Sequence, residues 1–183
     1  MCPDRDRIVS LAVYPGTFDP VHYGHIDVAR RAAAIFDRVV VGVYDRPGKS
    51  LLFSTDERLA MVRQALREVA AIRVVSYGGL TVDFVQRQGA KVIVRGLRVI
   101  SDFEIEYQMA LANRKLAPDV EMVYLMTSLE YAFMSSSMVK EIASVGGCVS
   151  GFVPPHVEKA LSARLAANSQ AQPRRHPSIC QRG

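Results

Sequence analysis

Only three cysteines occur in 183 residues, Cys2, Cys148 and Cys180, and no two form a CxxC pair. That usage supports neither a disulfide framework nor a cysteine zinc site, and three unpaired thiols fit a reducing cytoplasm. No apolar run approaches the roughly 18–20 residues of a membrane span, so no membrane partner is expected. The opening MCPDRDR carries charge but no apolar core, so a secretory signal is not expected either. Three absent motifs narrow the chemistry. There is no GxxxxGK[ST] of a P-loop, no GxGxxG after the first apolar run, and no nucleophile in an elbow or triad setting. A long basic stripe is also missing. The net charge is +5, but residues 166–183 hold Arg174, Arg175 and Arg182 without an acid, leaving the body at +2. General nucleic-acid binding is therefore not expected, whereas a phosphorylated small molecule needs only a few well-placed cations.

What is present reads as a globular α/β chain. Hydrophobic residues make up 49% and charged residues 22%, and the length suits a single domain. Apolar runs at 8–14, 38–44, 72–77, 91–96 and 120–126 read as strands. Between and after them, helical patterns run over 24–36, 54–69, 79–89, 101–116, 135–144 and 155–166. Ile26, Ala29, Ala33 and Phe36 form one apolar face on the first helix. Ser54 with Glu57, and Ser101 with Glu104, have the spacing of capping boxes. This alternation predicts a Rossmann-like, doubly wound, five-stranded parallel sheet with helices on both faces and C-terminal helices. The domain is expected to span 1–167, with 168–183 a disordered basic tail.

In such sheets ligands bind beyond the carboxyl ends of the strands, at the switch in strand order. The unusual residues collect there. VYPGTFDPVHYGH follows the first strand and brings Thr17, His22 and His25. Lys49 follows the second strand; Gly78, Gly79 and Thr81 follow the third. The fourth strand leads into Arg95, Gly96 and Arg98, and the fifth into Ser128 and then Ser135, Ser136 and Ser137. His22 and His25, three apart at a helix start, can share one face. The helix N-terminus there attracts anions. Arginine suits phosphate because its fork donates two parallel hydrogen bonds. Asp102 and Glu106 either orient Arg98, contact a ribose hydroxyl, or, for Asp102, simply favour the helix dipole. The serine run is either an N-cap, which needs one hydroxyl, or an anion site. Tyr131 and Phe133 suit a core or a base-stacking surface equally well. Together the cations, histidines and hydroxyls point to a site for several phosphates.

YPGTFDPVHYGH, VIVRGLR, DFEIEYQMALANR and SSSMVKE occur in this order over residues 8–165, and together they resemble the phosphopantetheine adenylyltransferase family. The HxGH element alone is shared by the wider nucleotidylyltransferase superfamily and is similar to that of class I aminoacyl-tRNA synthetases. The RGLR…DFE segment and the SSSMVKE form narrow the match. Met138 and Lys140 depart from an SSTxxR-type ending, and no KMSKS element is present.

The resemblance implies an enzyme that moves the adenylyl group of ATP to 4′-phosphopantetheine, giving dephospho-coenzyme A and pyrophosphate by in-line attack without a covalent intermediate. It implies Mg²⁺, a cytoplasmic homohexamer and feedback inhibition by coenzyme A. His25, Thr17, Lys49 and Arg98 are its implied catalytic residues. The implied ATP contacts are Thr17, Phe18, His25, Gly96, Leu97, Arg98, Glu106 and the segment Tyr131, Ala132, Phe133, Met134, Ser135, Ser136 and Ser137. Thr17, Lys49, Thr81 and Arg95 are implied on the acceptor side. No dedicated carboxylate cage is evident, so Mg²⁺ is expected to arrive with ATP. Other readings are a nucleotidylyltransferase with a different phosphate acceptor and a non-catalytic nucleotide sensor.

Overall fold

The computed structural model describes residues 10–46, 48, 50–98 and 100–170, apart from the side chains of 100–102 and 168–170. The elements are β1 (Leu11–Gly16), α1 (Tyr23–Ile35), β2 (Arg38–Tyr44), α2 (Thr55–Leu66), β3 (Ile72–Tyr77), α3 (Thr81–Arg87), β4 (Val92–Leu97), α4 (Ile100–Leu116), β5 (Glu121–Met126), α5 (Ser136–Ser144) and α6 (Pro155–Gln170), with a 3₁₀ turn over Leu129–Tyr131. All strand pairs are parallel, in the order β3-β2-β1-β4-β5. The chain winds outward from β1 to β3, then returns to lay β4 on the other side of β1. That reversal is the switch point.

Apolar runs without alternation make these strands because both sheet faces are covered. Ala12, Tyr14, Val39, Val41 and Val43 pack on one face with α1, α2, α5 and α6. Val13, Val40 and Ile93 pack on the other with Val82, Phe84 and Val85 of α3. Ser54 caps α2 as predicted, accepting from the Glu57 N–H while Glu57 accepts from the Ser54 N–H at 2.8 Å.

Several boundaries differ from the sequence reading. β1 begins at Leu11 and runs on through Pro15 to Gly16, where β2 still pairs with it. α2 stops at Leu66 rather than Val69. α4 already starts at Ile100, which puts Ser101 inside its first turn instead of at the cap. The backbone of 168–170, expected in the tail, continues α6; residues 171–183 lie outside the described residues. Among the described residues no helix is long and apolar enough to cross a membrane.

Candidate active site

The site begins where β1 and β4 part. Their last paired residues are Val13 and Ile93, although β1 continues to Gly16 and β4 to Leu97. Pro15 has no N–H to extend the ladder. A cleft of about 480 Å³ opens beyond the parting strands.

Of the predicted residues, Thr17, Phe18, His25, Thr81, Arg95, Gly96, Arg98, Glu106, Tyr131, Ser135, Ser136 and Ser137 all border this cleft. Leu97, Ala132, Phe133 and Met134 do not. Phe133 is exposed and packs its ring at right angles to that of Phe152. Met134 is buried, and its carbonyl accepts from Nη1 of Arg98 at 2.7 Å. Lys49 lies outside the described residues.

Phe18 holds the turn after β1. It adopts φ 52, a left-handed conformation rare for a side chain of this size. Its buried ring lies so close to Gly16 that a Cβ there would approach within 2.8 Å. The same ring meets His25 edge-on at 5.0 Å. Phe18 is only 2% exposed, and its ring buttresses His25 at the border of the cleft.

At the start of α1, His22 is the N-cap and shares a reciprocal capping box with His25. Burial, and then the Arg98 charge, lower the pKa of His22 to about 3. No acidic residue occupies the first turn of α1 or of α5, so both helix N-termini keep their positive potential. The serine run divides its work. Ser135 caps α5 through the Met138 N–H at 3.1 Å. Ser136 donates to the Pro20 carbonyl at 2.9 Å, tying α5 to the β1–α1 loop. Ser137 is exposed on the cleft. Thr81 pairs its hydroxyl with that of Tyr77 at 3.1 Å.

One of the alternatives open for Glu106 is corrected. Glu106 does not orient Arg98. The phase of α4 aims it at the tip of β4, where it pairs with Arg95 at 2.5 Å. Arg95 also donates to the Pro15 carbonyl at 3.0 Å, which crosses the parting between β1 and β4.

Four supporting residues escaped the sequence reading. Arg58 of α2 is fully buried and donates to the carbonyls of Thr17 and Tyr44, each at 2.7 Å. The sequence signal was its place three and four residues before Met61 and Val62, on the apolar stripe of α2. Asp19 is 2% exposed and accepts from the N–H groups of Leu52 and Phe53 and from Lys140 at 2.8 Å. Lys140, noted only as a departure from another family, thereby locks α5 to the first loop. Asp27 accepts from the Ser128 hydroxyl at 3.1 Å and positions the turn that carries Tyr131.

The cytidylyltransferase-like family matches residues 13–142. A phosphopantetheine adenylyltransferase from Moorella thermoacetica is 54% identical over 156 residues, covering 85% of this chain and 98% of that protein. The chain belongs to the phosphopantetheine adenylyltransferase family. A family member from Geotalea daltonii is 47% identical, covering 86% of this chain and 98% of its own. A solved Vibrio parahaemolyticus protein, described as a nicotinate-nucleotide adenylyltransferase, superposes with a TM-score of 0.60 over 84% of this chain and 99% of its own. At 15% identity that likeness speaks for the fold alone. Family membership makes the chain a nucleotidyltransferase, and the cleft at the parting of β1 and β4 is lined by Thr17, His25, Arg95 and Arg98.

Proposed function

We propose that this chain transfers the adenylyl group of ATP to 4′-phosphopantetheine, giving dephospho-coenzyme A and pyrophosphate. The observation that carries the reading is the convergence of Thr17, His25, Arg95, Arg98 and the α5 N-terminus on one cleft at the switch point. Such a set suits a grip on two separate phosphate groups. No side-chain nucleophile is required, because the acceptor's phosphate is itself a competent nucleophile.

Catalysis then reduces to alignment and charge stabilisation. Thr17 and His25 hold the α-phosphate, and His25 stabilises the charge that grows on it during in-line attack. Arg98 and the serines at the α5 N-terminus hold the β- and γ-phosphates. Tyr131 supplies an aromatic surface for adenine. Arg95 and Lys49 hold the acceptor phosphate, with Thr81 on the pantetheine side. Among the described residues no group of three His, Cys, Asp or Glu could hold a metal ion. The Mg²⁺ that the family resemblance implies is assigned to ATP phosphates and water.

The reading extends to assembly, regulation and location. Phe103, Ile105, Tyr107, Leu111 and Leu116 of α4 are all more than half exposed. These exposed apolar side chains are assigned to contacts within a homohexamer, with an expected sedimentation mass of six chains. Coenzyme A, which carries the product's adenylyl and pantetheine parts, is assigned as the feedback inhibitor. The cytoplasm is the assigned compartment.

The deciding experiment incubates the protein with ATP, Mg²⁺ and candidate acceptors and follows pyrophosphate. Release with phosphopantetheine is expected. Release with nicotinamide mononucleotide but not with phosphopantetheine would refute the assignment.

A further inference from the structure

The N-cap of α1 is a histidine, where serine, threonine, asparagine or aspartate is the usual choice. The His25 backbone N–H donates to Nδ1 of His22 at 3.3 Å, and the His22 backbone N–H donates to Nδ1 of His25 at 3.3 Å. A ring nitrogen that accepts carries no proton, so each neutral ring keeps its proton on Nε2. The two rings stack with centroids 3.6 Å apart and planes 23° from parallel. The edge-on contact with Phe18 restrains His25 further. Gly24 makes room for the arrangement, since a Cβ there would come within 3.1 Å of His22 Nδ1.

His22 borders the cleft but is poorly placed to be a second phosphate ligand. It is 4% exposed and its Nδ1 is engaged. Its lowered pKa keeps it a neutral acceptor throughout the physiological range.

The geometry points to His22 as a positioning residue that sets the orientation and tautomer of His25. The capping box leaves Nδ1 of His25 as an acceptor, and the stacked ring fixes its plane. His25 then offers Nε2–H to the α-phosphate as a donor already in place. Such a donor needs no reorganisation when charge develops. A serine or threonine cap would accept the His25 N–H but give the ring no surface to stack on. The inference rests on the proposed reaction, in which His25 addresses the α-phosphate.

Three substitutions separate cap from stack. His22→Asn keeps a cap acceptor without the ring, His22→Phe keeps a ring without the acceptor, and His22→Ala removes both. Two readouts are needed: the ring ¹⁵N shifts of His25 in histidine-labelled protein at neutral pH, and kcat and KM for ATP. In the wild type, Nδ1 of His25 should be the unprotonated nitrogen. His22→Ala should lower kcat by about tenfold or more, move KM for ATP by less than about threefold, and mix the tautomers. Asn and Phe should each recover part of the loss. A wild-type spectrum with the proton on Nδ1 overturns the proposal. So does a folded Ala variant with unchanged kcat and shifts. If Ala does not fold, unchanged kcat and shifts in both Asn and Phe overturn it equally. Absence of adenylyl transfer by a wild type that shows the expected tautomer would instead sink the reaction and leave the placement of His25 standing.

Discussion

Both carboxylate oxygens of Glu106 lie 3.1 Å from Nε of Arg95, and Oε1 also accepts from Nη2 at 2.5 Å. The third nitrogen, Nη1, is held by the Pro15 carbonyl at 3.0 Å. Arg95 is thus fixed before any ligand arrives, with one N–H left on each terminal nitrogen. Glu106 itself is mostly buried, and α4 is anchored further by the Tyr124 hydroxyl, which donates to the Glu106 carbonyl at 2.8 Å. We propose that this pairing draws Glu106 to the acceptor side of the proposed site, whereas the family resemblance implies a contact with ATP. Glu106→Ala should raise KM for phosphopantetheine by about tenfold while KM for ATP moves much less. Steady-state kinetics with each substrate varied in turn decide it. A rise confined to ATP would return Glu106 to the nucleotide.

His25→Ala should lower kcat by at least about 10²-fold, as expected when a contact made chiefly in the transition state is lost. ATP should still bind, because Arg98 and the α5 N-terminus are untouched. Turnover measured beside calorimetric titration with ATP separates the two effects. Near-normal turnover would sink the proposed role of His25.

Arg58 carries a prediction about stability. Its buried guanidinium serves the carbonyls of Thr17, Tyr44 and Phe53, as well as the Thr55 hydroxyl. Burial lowers its pKa, while Asp19 and Asp45 pull it back. Arg58→Met leaves those oxygens without their donor and removes a positive charge near Asp19 and Asp45. A loss of about 3 kcal/mol or more is expected from denaturant unfolding. Arg58→Lys should restore little, because one ammonium cannot reach carbonyls on both sides of a planar fork.

The sheet was legible because its strands are continuous apolar runs; the bounds of β2 and β3 agree with those read from the sequence. Thr17, His25, Arg95 and the serines were legible for a related reason. The switch-point rule says where to look, and glycine, histidine and arginine are conspicuous at a strand end. Glu106 was misdirected because α4 has apolar residues around most of its circumference, from exposed Phe103 and Ile105 to Leu111, so its phase could not be read. Asp19 and Lys140 are 121 residues apart and meet only in the folded chain. Arg58 was missed because a charged residue in a helix ordinarily reads as solvated.

The neutral state of His22 has a consequence in acid. Its pKa is lowered from 6.5 to about 3, first by burial and then by the nearby Arg98 charge. Between those two values the unfolded chain binds a proton at this position and the folded chain does not. The contribution of His22 to stability is therefore complete above pH 6.5 and falls as the pH drops toward 3. The slope is about 1.4 kcal/mol per pH unit for one group. His22→Asn keeps a cap acceptor and removes the titration. As the pH falls from 7 to 4, the melting temperature of the wild type should drop relative to that of His22→Asn, the wild type showing the steeper dependence. Carboxylates elsewhere tilt both curves alike, so the difference between them reports His22. Parallel curves from pH 7 to 4 would mean that His22 takes up its proton in the folded state, which its Nδ1 contact with the His25 N–H does not permit unless the ring turns.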